Sequence, residues 1–248
     1  MRALVVHGMF CTVWHCGRLV EGLRGAGLDA RGLELPDRGR PHARLAEHVA
    51  FVAGEAEAAA AGGAPVALVG HSLGGLVCLL AAARLGDRLA RLALLAPAPP
   101  AGLHAVSAAN ARLFLPLLVG GGLALPAVER YTALFMNRQG AALRRAVTAR
   151  LVPEPRALIR SVALPWLDRA RASRLVGALA PGLGTLVLAG AGDRSTPPGL
   201  QRRLAGRLPG ARYRCLVTPD HYGFIEGEGS EETLAALVDF LRPGPDQS

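Results

Sequence analysis

The sequence predicts an α/β fold in which a mostly parallel β-sheet is flanked by helices. Short runs rich in leucine and β-branched residues alternate with longer stretches of helical pattern, which is typical of βαβ units. The chain has 248 residues and is 51% hydrophobic, so it can bury one continuous core without splitting into independent domains. One long segment interrupts the alternation, and we expect it to be an insertion.

Six short apolar runs are the predicted strands, and five stretches of helical pattern are the predicted helices. The strands are residues 2–6, 29–35, 65–69, 89–95, 185–189 and 212–217. The helices are residues 17–25, 44–60, 73–85, 198–208 and 230–241. In such a sheet the loops that follow the strands meet along one edge, where the sites of α/β proteins lie.

The interrupting segment, residues 101–181, has helical composition and scattered prolines but no strand signal, and ordinary crossovers are far shorter. We expect a helical cap over the carboxyl edge of a core built from residues 1–100 and 182–242. A lid and an ordinary pair of packing helices are the two interpretations. Residues 243–248 are predicted to be a disordered tail. The large apolar side chains of the insertion are expected to form its own core, with pocket lining as the alternative; they are residues 113–118, Tyr131, Phe135, Met136 and Trp166.

The charge of the chain is strongly positive, with a formal net charge of +9 and 28 basic residues, all of them arginine. Nucleic-acid binding needs basic residues clustered with aromatic partners, whereas these arginines are dispersed and aromatic residues make up only 4%. We therefore expect no nucleic-acid partner. The positive field instead favours acidic partners or anionic substrates, for instance an acyl group on an acidic carrier protein.

Cysteine spacing and hydropathy indicate a reduced, cytoplasmic protein. Cys11, Cys16, Cys78 and Cys215 form no paired metal motif, and buried thiols are the expectation, with a disulfide between Cys11 and Cys16 as the alternative. The amino terminus shows no leader pattern. The longest uncharged stretch is broken by prolines and glycines, so no membrane insertion is expected.

The strongest chemical signal is the run Gly70-His71-Ser72-Leu73-Gly74, which lies between a predicted strand and a predicted helix. This spacing is typical of a nucleophile elbow, where a strained turn projects a serine hydroxyl above the sheet. The following helix begins at Leu73, so the serine hydroxyl lies at a helix amino end, where developing negative charge is favoured. Ser72 is therefore the candidate nucleophile.

A serine hydroxyl needs a base, and the base needs an acid that orients it. His221 lies in the loop after the last predicted strand, so we assign it as the base. Asp193 ends a strand that runs into a glycine-rich loop, and we assign it as the acid, with capping of the next helix as the alternative. Asp168 is a second, weaker candidate. Asp220 is unsuitable because an adjacent residue rarely faces the imidazole.

Acyl transfer also needs two backbone N–H donors for the oxyanion. One is the amide of Leu73, directly after the nucleophile. The other is expected from Met9, in the loop after the first strand, where His7 and Gly8 support the bend.

These motifs, taken in chain order, resemble the α/β-hydrolase superfamily over nearly the whole chain. Within it, residues 4–8 (Leu-Val-Val-His-Gly), Trp14, residues 33–37 and the Asp220-His221 pair resemble the methylesterase and hydroxynitrile-lyase branch. The resemblance implies an α/β-hydrolase fold and a Ser72, Asp193, His221 triad. Hydroxynitrile lyases of that branch use an active-site lysine, and this chain contains none.

The predicted reaction is hydrolysis of a small carboxylic ester, or of a thioester or lactone, through an acyl-enzyme on Ser72. No metal or organic cofactor is implied. Fold does not determine the reaction, so two alternatives stay open. One is a non-hydrolytic enzyme of natural-product metabolism, such as a cyclase, an acyltransferase or an enzyme of cofactor-free oxygen chemistry. The other is a ligand receptor.

Overall fold

A computed structural model describes residues 1–36, 40, 43–166, 173–175 and 178–242. The strands in chain order are β1 (Arg2–Val6), β2 (Asp29–Leu33), β3 (Val66–His71), β4 (Arg91–Leu95), β5 (Leu123–Ala124), β6 (Glu154–Pro155), β7 (Gly184–Gly190) and β8 (Arg212–Leu216). Six of them form a central sheet in the order β2-β1-β3-β4-β7-β8, and every neighbouring pair in it is parallel. The predicted parallel sheet is confirmed, with strand ends that differ by a few residues.

Helices flank this sheet, as the sequence predicts. They are α1 (Gly17–Gly25), α2 (Leu45–Ala60), α3 (Leu73–Leu85), α4 (Ala108–Leu118), α5 (Val128–Phe135), α6 (Ala141–Thr148), α7 (Arg156–Ala163), α8 (Pro198–Ala205) and α9 (Ser230–Leu241). Helix α3 is apolar on all sides and almost wholly buried, because it packs on β3 and β4 with α2 beside it. This places the amino end of α3 in the middle of the molecule.

The segment between β4 and β7 contains α4 to α7, and it also contains a small antiparallel ladder that the sequence analysis missed. Leu123 pairs with Pro155 and Ala124 with Glu154, so β5 and β6 are only two residues long. The expectation of no strand in this segment was therefore wrong. Strands this short have no periodicity to detect, and a proline within one argues against a strand on sequence grounds.

The strand order reverses between β1 and β3, which are neighbours although β2 lies between them in the chain. Val6 at the end of β1 is in register with Gly70 near the end of β3. Such a switch point opens a crevice at the carboxyl edge of a sheet. The loop after β1 and the turn after β3 therefore face each other across that crevice.

Two expectations fall on parts of the chain that the structure does not describe: the tail at residues 243–248 and Asp168.

Within the described ranges, no helix combines the length and the apolar character needed to cross a bilayer. All four cysteines are free thiols, and three of them are buried, while Cys215 is exposed.

Candidate active site

Ser72 lies on a strained turn directly between β3 and α3. Its backbone has φ 54° and ψ −118°, outside the regions that L-residues ordinarily adopt. The turn is held from both sides, because the Ser72 amide donates to the Leu95 carbonyl at 3.0 Å and the Ser72 carbonyl accepts from the Ala98 amide at 2.8 Å. The hydroxyl is thus presented at the carboxyl edge of the sheet.

The glycines around Ser72 are required by close backbone approaches. A Cβ on Gly70 would collide with the carbonyl group of Gly74. A Cβ on Gly74 would collide with the carbonyl oxygens of Val6 and His7. The Gly-x-Ser-x-Gly spacing therefore has a direct steric cause in this chain.

Ser72, His221 and Asp193 form one hydrogen-bonded series, although up to 149 residues separate them in the chain. The Nε2 atom of His221 lies 2.9 Å from the Oγ atom of Ser72. The Nδ1 atom of His221 lies 2.8 Å from the Oδ2 atom of Asp193. The acid and the histidine are both buried, at 4% and 3% exposure. The loops after β3, β7 and β8 bring together the three residues that the sequence analysis singled out.

Asp193 also organises its own loop. Its Oδ1 atom accepts the amides of Ser195 at 2.8 Å and Thr196 at 2.9 Å, and its Oδ2 atom accepts the Thr196 hydroxyl at 2.9 Å. Burial alone would raise the pKa of this carboxyl, but the His221 imidazole and the Thr196 donors outweigh burial and lower it. Asp193 is therefore held as a carboxylate. The residue before α8 is Pro197, so Asp193 does not occupy the capping position of that helix.

Met9 lies in the loop after β1 and Leu73 is the first residue of α3, and both line the same cavity. Neither amide donates a hydrogen bond within the part of the chain that the structure describes. Gly8 lies so close to the elbow that a Cβ there would be 3.1 Å from the Ser72 Cβ. His7 is fully buried, and its Nδ1 atom donates to the Gly8 carbonyl at 3.0 Å, which supports the bend.

Phe10, next to Met9, shows how the inserted segment supports this loop. Phe10 has a positive φ of 65°. Its amide donates to the Oε1 atom of the buried Glu154 at 2.9 Å, and its carbonyl accepts from the Val152 amide at 2.9 Å. The sequence analysis missed Glu154, since a lone glutamate in a proline-rich stretch carries no signal of such a contact.

His71 supports His221 from the opposite side. Its Nε2–H donates to the backbone carbonyl of His221 at 2.8 Å, so the neutral ring carries its proton on Nε2. Its Nδ1 is buried without a hydrogen-bond partner among the described residues. Burial, with the neighbouring His221 ring, therefore lowers the pKa of His71 to about 3. His71 stays a neutral donor at every ordinary pH.

This lowered pKa predicts a specific acid sensitivity. In unfolded chains His71 titrates near its ordinary pKa of about 6.5, so between that value and about 3 the unfolded state binds a proton that the folded state does not. The contribution of His71 to the free energy of unfolding is therefore fully present above about pH 6.5, and it is lost as the pH falls below that value. From pH 7 to pH 5 we expect His71 to account for a loss of about 2 kcal/mol in the free energy of unfolding.

Urea unfolding of the wild type and of His71→Gln at both pH values measures this contribution. The glutamine amide does not titrate, so the decline should be smaller in the variant by about that amount. An equal decline in both proteins would contradict the assignment.

A cavity of about 240 Å³ opens above Ser72, and its wall is mostly apolar. The core contributes Met9, Leu73 and Ala98, while the inserted segment contributes Phe114, Leu118 and Trp166. No Asp, Glu or Arg side chain lies among the described residues that line it. The space admits a group somewhat larger than a benzene ring, which fits an apolar cavity of about 150 Å³.

The inserted segment lines this cavity more extensively than expected. Phe114, Leu115, Leu118 and Trp166 all face it. Leu115 and Trp166 are exposed, so the expectation that they belong to a core was wrong for these two, whereas Phe114 and Leu118 also pack against the hydrophobic core. Tyr131 and Phe135 are buried and also reach the cavity, while Leu113, Leu117 and Met136 are buried elsewhere. The reason is geometric: α4 is apolar on several faces, so its composition does not reveal which face meets the core.

Within the described ranges, no group of three or more His, Cys, Asp or Glu side chains is placed to hold a metal ion. The side chains of Ser72, His221 and Asp193 are hydrogen-bonded to one another. Their arrangement can take a proton from a hydroxyl, stabilise the resulting imidazolium and bind an oxyanion.

Comparison with known proteins gives a consistent assignment of the fold. A family model described as alpha/beta hydrolase fold matches residues 4–228. Probable esterase PIR7A of Oryza sativa subsp. indica is 41% identical over 105 residues, and Esterase PIR7B of Oryza sativa subsp. japonica is 37% identical over 103 residues. These matches cover about two fifths of this chain and 40% and 38% of the two rice proteins.

Among solved structures, the methylesterase MES16 from Arabidopsis superposes with a TM-score of 0.72. The match covers 96% of this chain and 98% of that protein at 16% sequence identity. At this level of identity the superposition establishes a shared fold.

Proposed function

The chain belongs to the α/β-hydrolase fold family, and we propose that it is a serine hydrolase that cleaves carboxylic esters through an acyl-enzyme on Ser72. The observation that carries the proposal is the unbroken series from the Ser72 hydroxyl through the His221 imidazole to the Asp193 carboxylate, with steps of 2.9 and 2.8 Å. The names of the partly matching rice esterases agree with it.

In the proposed mechanism, the Ser72 hydroxyl attacks the ester carbonyl as its proton passes to Nε2 of His221. The carboxylate of Asp193 fixes the Nδ1–H tautomer and stabilises the imidazolium that forms. The amides of Met9 and Leu73 bind the oxyanion. The imidazolium then protonates the departing alkoxide, and water deprotonated by His221 releases the acid and restores Ser72.

We further propose that residues 101–181 act as a cap that shapes the substrate pocket. Phe114, Leu118 and Trp166 of this segment face the cavity above Ser72. Because the described wall carries no charged side chain, the pocket favours a neutral, apolar group over an anionic one. The net charge of +9 attracts anions to the surface, but a buried anion would meet no described cation in the cavity.

A matched pair of substrates tests the reaction and the pocket together. We expect hydrolysis of p-nitrophenyl hexanoate, with a kcat/KM at least about 10-fold higher than that of mono-p-nitrophenyl adipate, whose acyl chain has the same length but ends in a carboxylate. The difference reflects the desolvation of an unpaired charge, of which about 1.4 kcal/mol corresponds to 10-fold. Equal rates would contradict the neutral pocket, and absence of turnover on both and on a wider ester panel would contradict the esterase proposal.

A further inference from the structure

The junction between α5 and α6, residues 135–139, joins the inserted segment to the loops that carry His221 and Asp193. The Tyr222 amide donates to the Phe135 carbonyl at 2.8 Å. The Asn137 side chain donates to the carbonyl of Gly192, next to Asp193, at 3.2 Å. This junction therefore contacts both loops from outside the core.

Gln139 makes the most extensive of these contacts. It is buried at 4% exposure, and its Nε2 donates to Asp220 Oδ1 at 2.8 Å and to the Glu228 carbonyl at 3.3 Å. Its Oε1 accepts the Glu228 amide at 2.9 Å. One side chain thus bridges the two ends of the loop at residues 220–228, which contains His221.

Asp220 receives this contact as a fully buried carboxylate. Its Oδ2 accepts the Arg138 amide at 2.8 Å, and its Oδ1 accepts the Gly223 amide at 2.8 Å in addition to Gln139. Three donors therefore hold the residue immediately before His221. The carboxylate is directed at the inserted segment, while Nδ1 of His221 meets Asp193, in agreement with the exclusion of Asp220 as the acid.

We propose that Gln139 is a positioning residue for the reaction, which acts through Asp220 to hold the His221 imidazole in line with Ser72 and Asp193. The inference rests on the proposed function. Hydrogen bonds at both nitrogens of His221 are directional, and displacement of a catalytic group by about 1 Å costs about 100-fold in rate. Gln139 restricts movement of the loop that carries His221, because its side chain binds both ends of that loop.

The variant Gln139→Met tests this role, because methionine fills a similar volume and makes none of the hydrogen bonds. The matched control is Gln201→Met, which removes one buried hydrogen bond from Gln201 in α8 to the Pro97 carbonyl. Two readouts are taken: steady-state kinetics with p-nitrophenyl butyrate, and the low-field proton resonance of His221 Nδ1–H bonded to Asp193. We expect kcat to fall about 10- to 100-fold in Gln139→Met with KM nearly unchanged, and the resonance to be lost. Gln201→Met should retain both.

A folded Gln139→Met that keeps the resonance, with kcat within about threefold of the wild type, would overturn the proposal. If Gln139→Met does not fold, Asp220→Asn replaces it: its amide nitrogen would face the Arg138 amide, donor against donor, and the same two losses are expected. The resonance needs no substrate. A wild type that shows the resonance but neither turns over esters nor reacts with a fluorophosphonate would therefore refute the proposed function, while the variants still test the positioning role.

Discussion

Replacement of Ser72 by alanine should reduce kcat for p-nitrophenyl butyrate by about 10⁵-fold, because it removes the proposed nucleophile, whose hydroxyl lies 2.9 Å from Nε2 of His221. The backbone strain at φ 54° is borne equally by alanine, so the fold should persist. Steady-state rates, with urea unfolding as a check of stability, measure both effects. Ser161→Ala is the matched control, since Ser161 is a buried serine whose hydroxyl bonds within α7. Turnover of Ser72→Ala within about 10-fold of the wild type would mean that another group is the nucleophile.

Replacement of Asp193 by asparagine should reduce kcat/KM by about 10⁴-fold, or about 5.5 kcal/mol of transition-state stabilisation. The asparagine oxygen can still accept the amides of Ser195 and Thr196, which leaves the amide nitrogen facing Nδ1 of His221. That nitrogen is a donor, so the imidazole must move its proton to Nε2. The proton would then point at Ser72, and His221 could not accept one from it.

The Asp193→Asn protein should unfold in urea at nearly the wild-type concentration, because its loop contacts persist. A loss of less than about 10-fold in kcat/KM in a folded protein would show that the carboxylate does not orient His221. Thr196→Val gives a graded comparison, since it removes one donor to Asp193 but leaves the carboxylate, and it should cost far less activity.

The sheet and the positions of Ser72, Asp193 and His221 could be predicted because each of them is marked by a local sequence pattern. The central strand β3 is wholly buried and apolar up to its last residue, His71. Helix α3 begins inside a Gly-x-Ser-x-Gly run whose two outer positions have room only for glycine. His221 and Asp193 each follow a strand, and parallel topology then requires their loops to meet at one edge. The order of strands and loops along the chain was therefore enough to predict that these two residues lie at the same edge of the sheet.

The supporting contacts could not be predicted, because they join residues far apart in sequence and mostly involve backbone atoms. Glu154 binds the amide of Phe10 across 144 residues, and Gln139 binds the amide of Glu228 across 89. A side chain that binds a backbone amide needs no particular residue type opposite it, so no pair of residues marks the contact. The second strand was predicted to end at residue 35, whereas β2 ends at Leu33. Glu34 lies just beyond it, and its carboxylate accepts the Val13 amide at 2.7 Å, which is again a contact with a backbone atom distant in sequence.

The most direct test labels the wild-type protein with a fluorophosphonate. Peptide mass spectrometry after proteolytic digestion then locates the covalent adduct. We predict a single modification on the peptide that contains Ser72, at a rate that falls steeply in Asp193→Asn, where His221 no longer accepts the proton. Modification of a different residue, or ester turnover that continues after Ser72 is fully modified, would contradict the assignment of Ser72 as the nucleophile.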